Sequence, residues 1–277
     1  MNELKDARIP AKSVGEFVKK YKVQDEKSLM VHLASNDFSL SQAPISNFKV
    51  SVVGKEKETG DLLLGGNLEF LGAPLGQTVH AEQFLFSRAY HRGHSIEFFA
   101  LGKATPCGHC RQFITEFQEA KNIRVHNAAG LDFRIGDILP FAFGPEQLKQ
   151  AGIVPGEKNF SLKLKLKKKL SKLEEAALKA ANHSYAPYSA SPAGVAIKTK
   201  NDIYAGSYIE NAAFNPSLPP LQSALINLVA AGGEWSEIKE VVLVETKAKI
   251  DFSPSTQALL DAITNARFSV LEARETP

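Results

Sequence analysis

The chain has 277 residues, of which 44% are hydrophobic and 23% charged, and a formal net charge of +3. This is the profile of an ordinary soluble globular protein, long enough for one large or two modest domains that need no cross-links. So small a positive excess argues against a nucleic-acid partner. No apolar run approaches the roughly 18 residues of a membrane helix, and the opening stretch MNELKDARIPAKSVGEFVKK lacks the apolar core of a secretory leader. The expected location is the cytosol.

Two amphipathic patterns, Val14-Phe17-Val18-Tyr21 and Leu29-Met30-Leu33, predict an N-terminal helical segment over residues 1–40. Strand-like runs at Phe48–Val53 and Leu62–Leu64, separated by the turn Thr59-Gly60-Asp61, read as a hairpin. A helix is expected from His80 to Tyr90, ended by Gly93. Ile96–Leu101 is a strand, Pro106-Cys107 opens a helix carrying Phe113, Ile114 and Phe117, and Ile123–Val125 is a short strand. This alternation implies a layered α/β domain over residues 41–145. The Gly- and Pro-rich stretch after Gly144 reads as a linker extending over 146–170. The basic run KLKLKKKLSKL within and beyond it is read as an amphipathic segment with a solvated face.

The second half, 171–277, repeats the first. Pro187-Tyr188-Ser189 echoes Pro44-Ile45-Ser46, and Gly206-Ser207-Tyr208-Ile209-Glu210 echoes Gly65-Gly66-Asn67-Leu68-Glu69. Pro219 to Ala224 falls where Val79-His80-Ala81-Glu82 stood, with Gln222-Ser223-Ala224 read in place of the His-Ala-Glu triplet. A strand at Val241–Val244 and a helix at Pro254–Thr264 complete a duplication whose second copy has lost the reactive residues.

Those residues are His80-Ala81-Glu82 and Pro106-Cys107-Gly108-His109-Cys110, which contain both cysteines of the chain. Read alone, Cys107 and Cys110 fit a redox couple as well as a metal site; the His-x-Glu helix start upstream favours the metal. Two thiolates and one imidazole suit zinc, and three protein ligands leave a fourth position for water. The thiolates cancel the formal charge of the ion, so the water needs a nearby proton acceptor, and Glu82 is placed to serve. His109 is expected to turn away from the metal, and His91 and His94 to be solvated at a helix end.

At these residues the chain resembles the cytidine deaminases, specifically the two-domain branch that forms homodimers. The H-x-E…P-C-x-x-C pattern is general to zinc nucleobase deaminases. The resemblance extends over the Pro-x-Ser-x-Phe stretch at Pro44 to Phe48, Asn67-Leu68-Glu69, TVHAEQ at 78–83, TPCGHCRQF at 105–113, Phe141 to Pro145, and SYIENAAFNPSLPPLQ at 207–222. It implies two repeated α-β-α layered domains, each a mixed sheet packed by helices, the second degenerate. It implies zinc held by His80, Cys107 and Cys110, with Glu82 as proton shuttle in a hydrolysis that releases ammonia from cytidine or 2′-deoxycytidine in pyrimidine salvage.

Carried onto this chain, Asn67 and Glu69 would hold the sugar hydroxyls, and the Ala81 amide would meet O2 of the base. Phe48 and Phe143 would wall the pyrimidine. Phe214, with Ala213, would reach the site of a partner subunit covered by the C-terminal copy. The plain alternatives are a buried strand aromatic for Phe48 and packing aromatics for Phe143 and Phe214. Rival readings of the whole chain are a polynucleotide deaminase, an inactive relative and a redox protein; Glu69 argues against the first, because its carboxylate would repel a sugar phosphate.

Overall fold

The computed structural model describes residues 4–165 and 169–276. The chain divides into two compact units. One comprises Met1–Glu69, Thr78–Pro155 and Asn211–Pro216; the other comprises Phe70–Gln77, Gly156–Glu210 and Ser217–Pro277. The stretch expected as a linker over 146–170 is thus divided between the two, and the N-terminal 40 residues belong to the first. No helix among the described residues is long and apolar enough to cross a membrane.

The first unit contains β1 (Arg8–Ile9), α1 (Val14–Tyr21), α2 (Glu26–Asn36), β2 (Ser51–Glu56), β3 (Leu62–Gly66), α3 (Ala81–Arg92), β4 (Ile96–Leu101), α4 (Gly108–Ile114), β5 (Arg124–Asn127), β6 (Asp132–Arg134) and α5 (Ile135–Ile138). Its strands form one sheet in the order β1-β3-β2-β4-β5-β6. All pairs are antiparallel except β4 with β5, which are parallel and joined through α4. A side chain on Gly65 would meet Phe84 and the Ala81 carbonyl of α3 at 3.1 and 3.2 Å, whereas one on Gly66 would strike the backbone of Leu40 and Ser41 at 2.6 Å. Successive strand residues face opposite ways, so α3 covers one face of the sheet and the segment after α2 the other.

Two expected boundaries move. The strand expected from Phe48 is β2, which starts at Ser51. The Asn67 side chain explains this: its amide donates to the Phe48 carbonyl at 3.0 Å and its oxygen accepts from the Val50 amide at 2.9 Å, replacing ladder partners. Phe48 is left 64% exposed. The cysteine-bearing helix ends at Ile114, and Phe117 beyond it is buried through a bridge to Ile153.

The N-terminal segment is tied to the sheet by charge as well as by β1. Asp61 accepts from Arg8 at 2.5 Å and from the Ala11 amide at 2.8 Å, and Asp6 pairs with Arg88 at 2.8 Å. Beside them Glu56, fully buried, accepts two bonds from the Arg92 guanidinium at 2.6 and 3.0 Å and one from Thr59 at 2.7 Å. His94 lies 3.0 Å from the same carboxylate, and His91 bonds the Ser87 carbonyl at 2.7 Å. Both histidines are therefore engaged by protein groups, contrary to the solvated placement expected for them. The sheet edge and the end of α3 create that environment.

The second unit contains β7 (Leu162–Leu164), α6 (Lys172–Asn182), β8 (Ala193–Lys198), β9 (Ile203–Ser207), α7 (Pro220–Ala230), β10 (Glu240–Thr246), α8 (Ser253–Ile263) and β11 (Arg267–Glu275). Its sheet runs β7-β11-β10-β8-β9, with β10 and β11 parallel. The run β9-β8-β10-β11 reproduces β3-β2-β4-β5, and Val195 pairs with Gly206 as Val52 pairs with Gly65. The basic run is not one amphipathic segment: its start forms the edge strand β7, and Ser171 caps α6 by accepting from Glu174. Residues 166–168 of that run lie outside the described residues.

The structure also corrects the register of the echo. Leu68 bridges Val79 just before α3, and Ile209 bridges Leu218 just before α7. His80 therefore corresponds to Pro219, Glu82 to Leu221, and Gln83 to Gln222.

Burial alone would raise the Glu56 carboxyl, but the Arg92 guanidinium and the Thr59 hydroxyl outweigh it and hold the group below the usual carboxylate range. A carboxyl lowered on folding stabilises the native state above its unfolded pKa, and the contribution is lost as pH falls through the folded value. Glu56→Gln should cost about 2–3 kcal/mol at neutral pH. Urea unfolding at a series of pH values should show the gap from wild type closing on acidification.

Candidate metal centre and active site

Both reactive motifs lie where helices begin. His80 is the N-cap of α3, with extended backbone at φ −78° and ψ 152°, and its amide donates to the Gln83 side chain at 3.1 Å. Gln83 stands at the third helical position, where a glutamine reaches back to the cap. Cys107 caps α4 in the same extended conformation, and Cys110 follows one turn into that helix. Arg111 holds the entry to α4 by donating to the Pro106 carbonyl at 2.7 Å.

The cap positions bring three donors together. Cys107 Sγ and Cys110 Sγ lie 3.5 Å apart, and His80 Nδ1 lies 3.5 Å from the first and 3.3 Å from the second. The edges of a tetrahedron drawn with ordinary zinc–sulfur and zinc–nitrogen bonds are about 3.6–3.8 Å, so these side chains fit the ion with little movement. They are the cluster with metal-ligand spacing among the described residues. The Cys107 thiol is pushed down to about 3 by hydrogen bonds from Cys110 and His80. The Cys110 thiol is pushed up, because it supplies the proton of the sulfur–sulfur bond and is buried. His80 is raised by its bond to Cys107.

His109 is not one of the three donors, yet it is not turned away. Its ring stacks on His80, with centroids 4.9 Å apart and planes 11° from parallel. The sequence gives no sign of this, because it follows from two separate helix starts meeting.

Glu82, 5% exposed, sits at the second position of α3, and burial raises its carboxyl. A carboxyl with a raised pKa can both take and give a proton near neutrality. It faces a cavity of about 320 Å³ lined in part by Phe48, Asn67, Glu69, His80, Ala81, Thr105 and Cys107, within the size range of small-molecule sites. Ala81 is the first residue of α3, so its amide has no partner within the helix.

Asn67 spends its oxygen on Ser41 and Val50 and one amide hydrogen on Phe48, leaving one hydrogen for a ligand. Glu69 accepts from the Ile45 and Ser46 amides, both at 2.9 Å, and from the Ser46 hydroxyl. Its slight burial works to raise the carboxyl, but these three donors outweigh it and hold the group lowered. Ser46 in turn accepts from the Phe48 amide at 3.0 Å. The sequence reading missed Ser46; its place between two turn residues and a strand was the available signal.

Phe143 and Phe214 do not line this cavity. They are 47% and 62% exposed.

A centre of two sulfurs, one imidazole and one adjacent carboxyl, on a mixed sheet covered by helices, defines a zinc enzyme of the nucleobase deaminase class. A family model described as the cytidine and deoxycytidylate deaminase zinc-binding region matches residues 24–126, and a second of the same description matches residues 135–258. A cytidine deaminase of Cronobacter sakazakii is 40% identical over 259 residues, covering 93% of this chain and 86% of that protein. One from Proteus mirabilis is 38% identical over 274 residues, covering 94% and 92%. A solved cytidine deaminase from Mycobacterium tuberculosis aligns with 44% of this chain and 99% of its own at 24% identity, with a TM-score of 0.37. The chain belongs to the cytidine deaminase family, and zinc is its metal.

Metal uptake must expel the proton from Cys110, so the apparent zinc affinity should rise with pH. Chelator competition across about pH 6–8 should show tighter binding at the alkaline end. Cys107→Ser should lose most of its zinc on dialysis against a chelator that leaves the wild type loaded.

Proposed function

We propose that this chain hydrolyses cytidine and 2′-deoxycytidine to uridine and 2′-deoxyuridine with release of ammonia, in pyrimidine salvage. One observation carries the reading: the buried Glu82 carboxyl and two of the three metal donors, His80 and Cys107, line the same cavity as Asn67, Glu69 and Phe48. His80, Cys107 and Cys110 hold zinc, which when bound supplies a polarised water at its open position.

Glu82 would take one proton from the attacking water and deliver it to N3 of the pyrimidine as the oxygen bonds to C4, then pass the second proton from the new C4 hydroxyl to the exocyclic nitrogen, so that the C4–N bond breaks, ammonia leaves and C4=O forms. The Ala81 amide holds O2 of the base. Asn67 donates its remaining hydrogen to a sugar hydroxyl, and Glu69 accepts from another. Because the Glu69 carboxyl is lowered, it is charged at neutral pH, and a sugar phosphate placed there would meet an anion. Free nucleosides are therefore favoured over nucleotides and polynucleotides.

Phe48 flanks the base. Phe143 and Phe214, together with Phe141 at 97% exposure, are large apolar side chains in water, and such surface marks association sites. In this reading the protein is a cytosolic homodimer in which Phe214, beside Ala213, covers the partner's nucleoside.

Turnover followed by ultraviolet absorbance should be fast on cytidine and 2′-deoxycytidine and at least tenfold slower on CMP and on a short cytosine-containing oligonucleotide. Glu82→Gln should keep its zinc and lose about 10⁴-fold in kcat; near-wild-type turnover would remove Glu82 from the mechanism. In heterodimers, a Phe214→Ala protomer mixed with a Glu82→Gln protomer should recover part of the activity that each lacks alone. Verified heterodimers with no recovery would return Phe214 to a packing role.

A further inference from the structure

Asn211–Pro216 lies in the degenerate half of the sequence but belongs to the unit that carries the metal donors. It is held there by residues of the two ligand-bearing helices. The Asn211 amide donates to the Gln112 carbonyl at 2.9 Å, and its oxygen accepts from the Gln112 side chain at 3.3 Å. The Ala212 amide donates to Glu116 at 2.9 Å, just past the end of α4. At the other end, Gln83 of α3 donates to the Pro216 carbonyl at 3.1 Å. Glu116 and Asn211 are fully buried, and Gln83 is 2% exposed. Between these anchors Phe214 adopts φ 60°, a left-handed conformation costly for an aromatic residue, which persists only where its surroundings over-determine it.

The other copy shows which part of this arrangement is particular to the metal unit. Gln222, the counterpart of Gln83, bonds the side chain of Gln77, in the segment Phe70–Gln77 that its unit contains. Its helix, however, is capped by Pro219, which has no amide hydrogen to offer. Only Gln83 joins a clasped loop to the backbone of a metal-ligand residue, accepting from the His80 amide while donating to Pro216.

We propose that Gln83, Glu116 and Asn211 form a clasp that positions α3 and α4 so that His80, Cys107 and Cys110 stay within reach of one ion. This rests on those three residues being the zinc ligands. The degenerate half thereby supplies a supporting part of the metal centre within its own chain.

Outer supports of a metal site tune its affinity about 10–100-fold. The test measures zinc release to a chromogenic chelator and the visible absorption of the cobalt-substituted protein, alongside circular dichroism. Asn211→Ala and Glu116→Ala should speed zinc release about tenfold and alter the cobalt bands, while still binding one equivalent at saturating metal. Glu116→Gln, which keeps an acceptor for Ala212, should restore wild-type release. Gln83→Glu keeps the acceptor for His80 and sets an acceptor in place of the donor to Pro216, so it should release zinc at least as fast as Asn211→Ala.

Folded variants with wild-type release and wild-type cobalt spectra would overturn the clasp. Wild-type protein that takes up no zinc would instead overturn the ligand assignment beneath it. Should Glu116→Ala or Asn211→Ala fail to fold, Gln83→Glu decides on the same two readouts.

Discussion

Three donor atoms within 3.5 Å of one another can remain together only while their charge is balanced. Hydrogen bonds among the three hold the Cys107 thiol down and raise the His80 imidazole, so protons can supply part of that balance. A dication provides it fully, and leaves both sulfurs as thiolates. The rest of the unit serves this constraint: two helices start at the same place, so that their unpaired amides and dipoles face the sulfurs. Glu82 lies beside the same cluster, and burial there raises its carboxyl above the ordinary value.

The duplicated half separates chemistry from architecture. Glu210, the counterpart of Glu69, accepts from the Tyr188 and Ser189 amides as Glu69 accepts from those of Ile45 and Ser46. The carboxylate thus holds a turn in both copies, whatever it does for a sugar in one. Tyr208 replaces Asn67 and directs its hydroxyl at Glu210. Proline and leucine stand at the positions of His80 and Glu82. The second copy keeps the hydrogen bonds that build the fold and lacks those that could serve a reaction.

Much of this was legible in the residues. His-x-Glu and Cys-x-x-Cys spacing located the three donors and the carboxyl beside them, because helix geometry makes such short-range patterns nearly self-sufficient. The duplication was visible in Gly65 to Glu69 and Gly206 to Glu210 because strand-to-turn chemistry is local. The register of the echo was missed: periodicity cannot say which residue caps a helix, whereas the bridges at Leu68–Val79 and Ile209–Leu218 do. The late start of β2 depends on Asn67, nineteen positions from Phe48. The stacking of His109 on His80 and the anchoring of Asn211–Pro216 arise from contacts distant along the chain, which no local pattern encodes.

Glu69, Ser46 and Phe48 are joined by consecutive hydrogen bonds through a single hydroxyl. In the proposed reading, the carboxylate offered to the sugar and the backbone that carries the Phe48 ring are therefore tied through one residue, by bonds made when the protein folds. A ligand entering such a pocket is spared the loss of side-chain freedom that a floppy site would exact. The proposed contacts with the sugar and with the base thus share one anchor, Ser46.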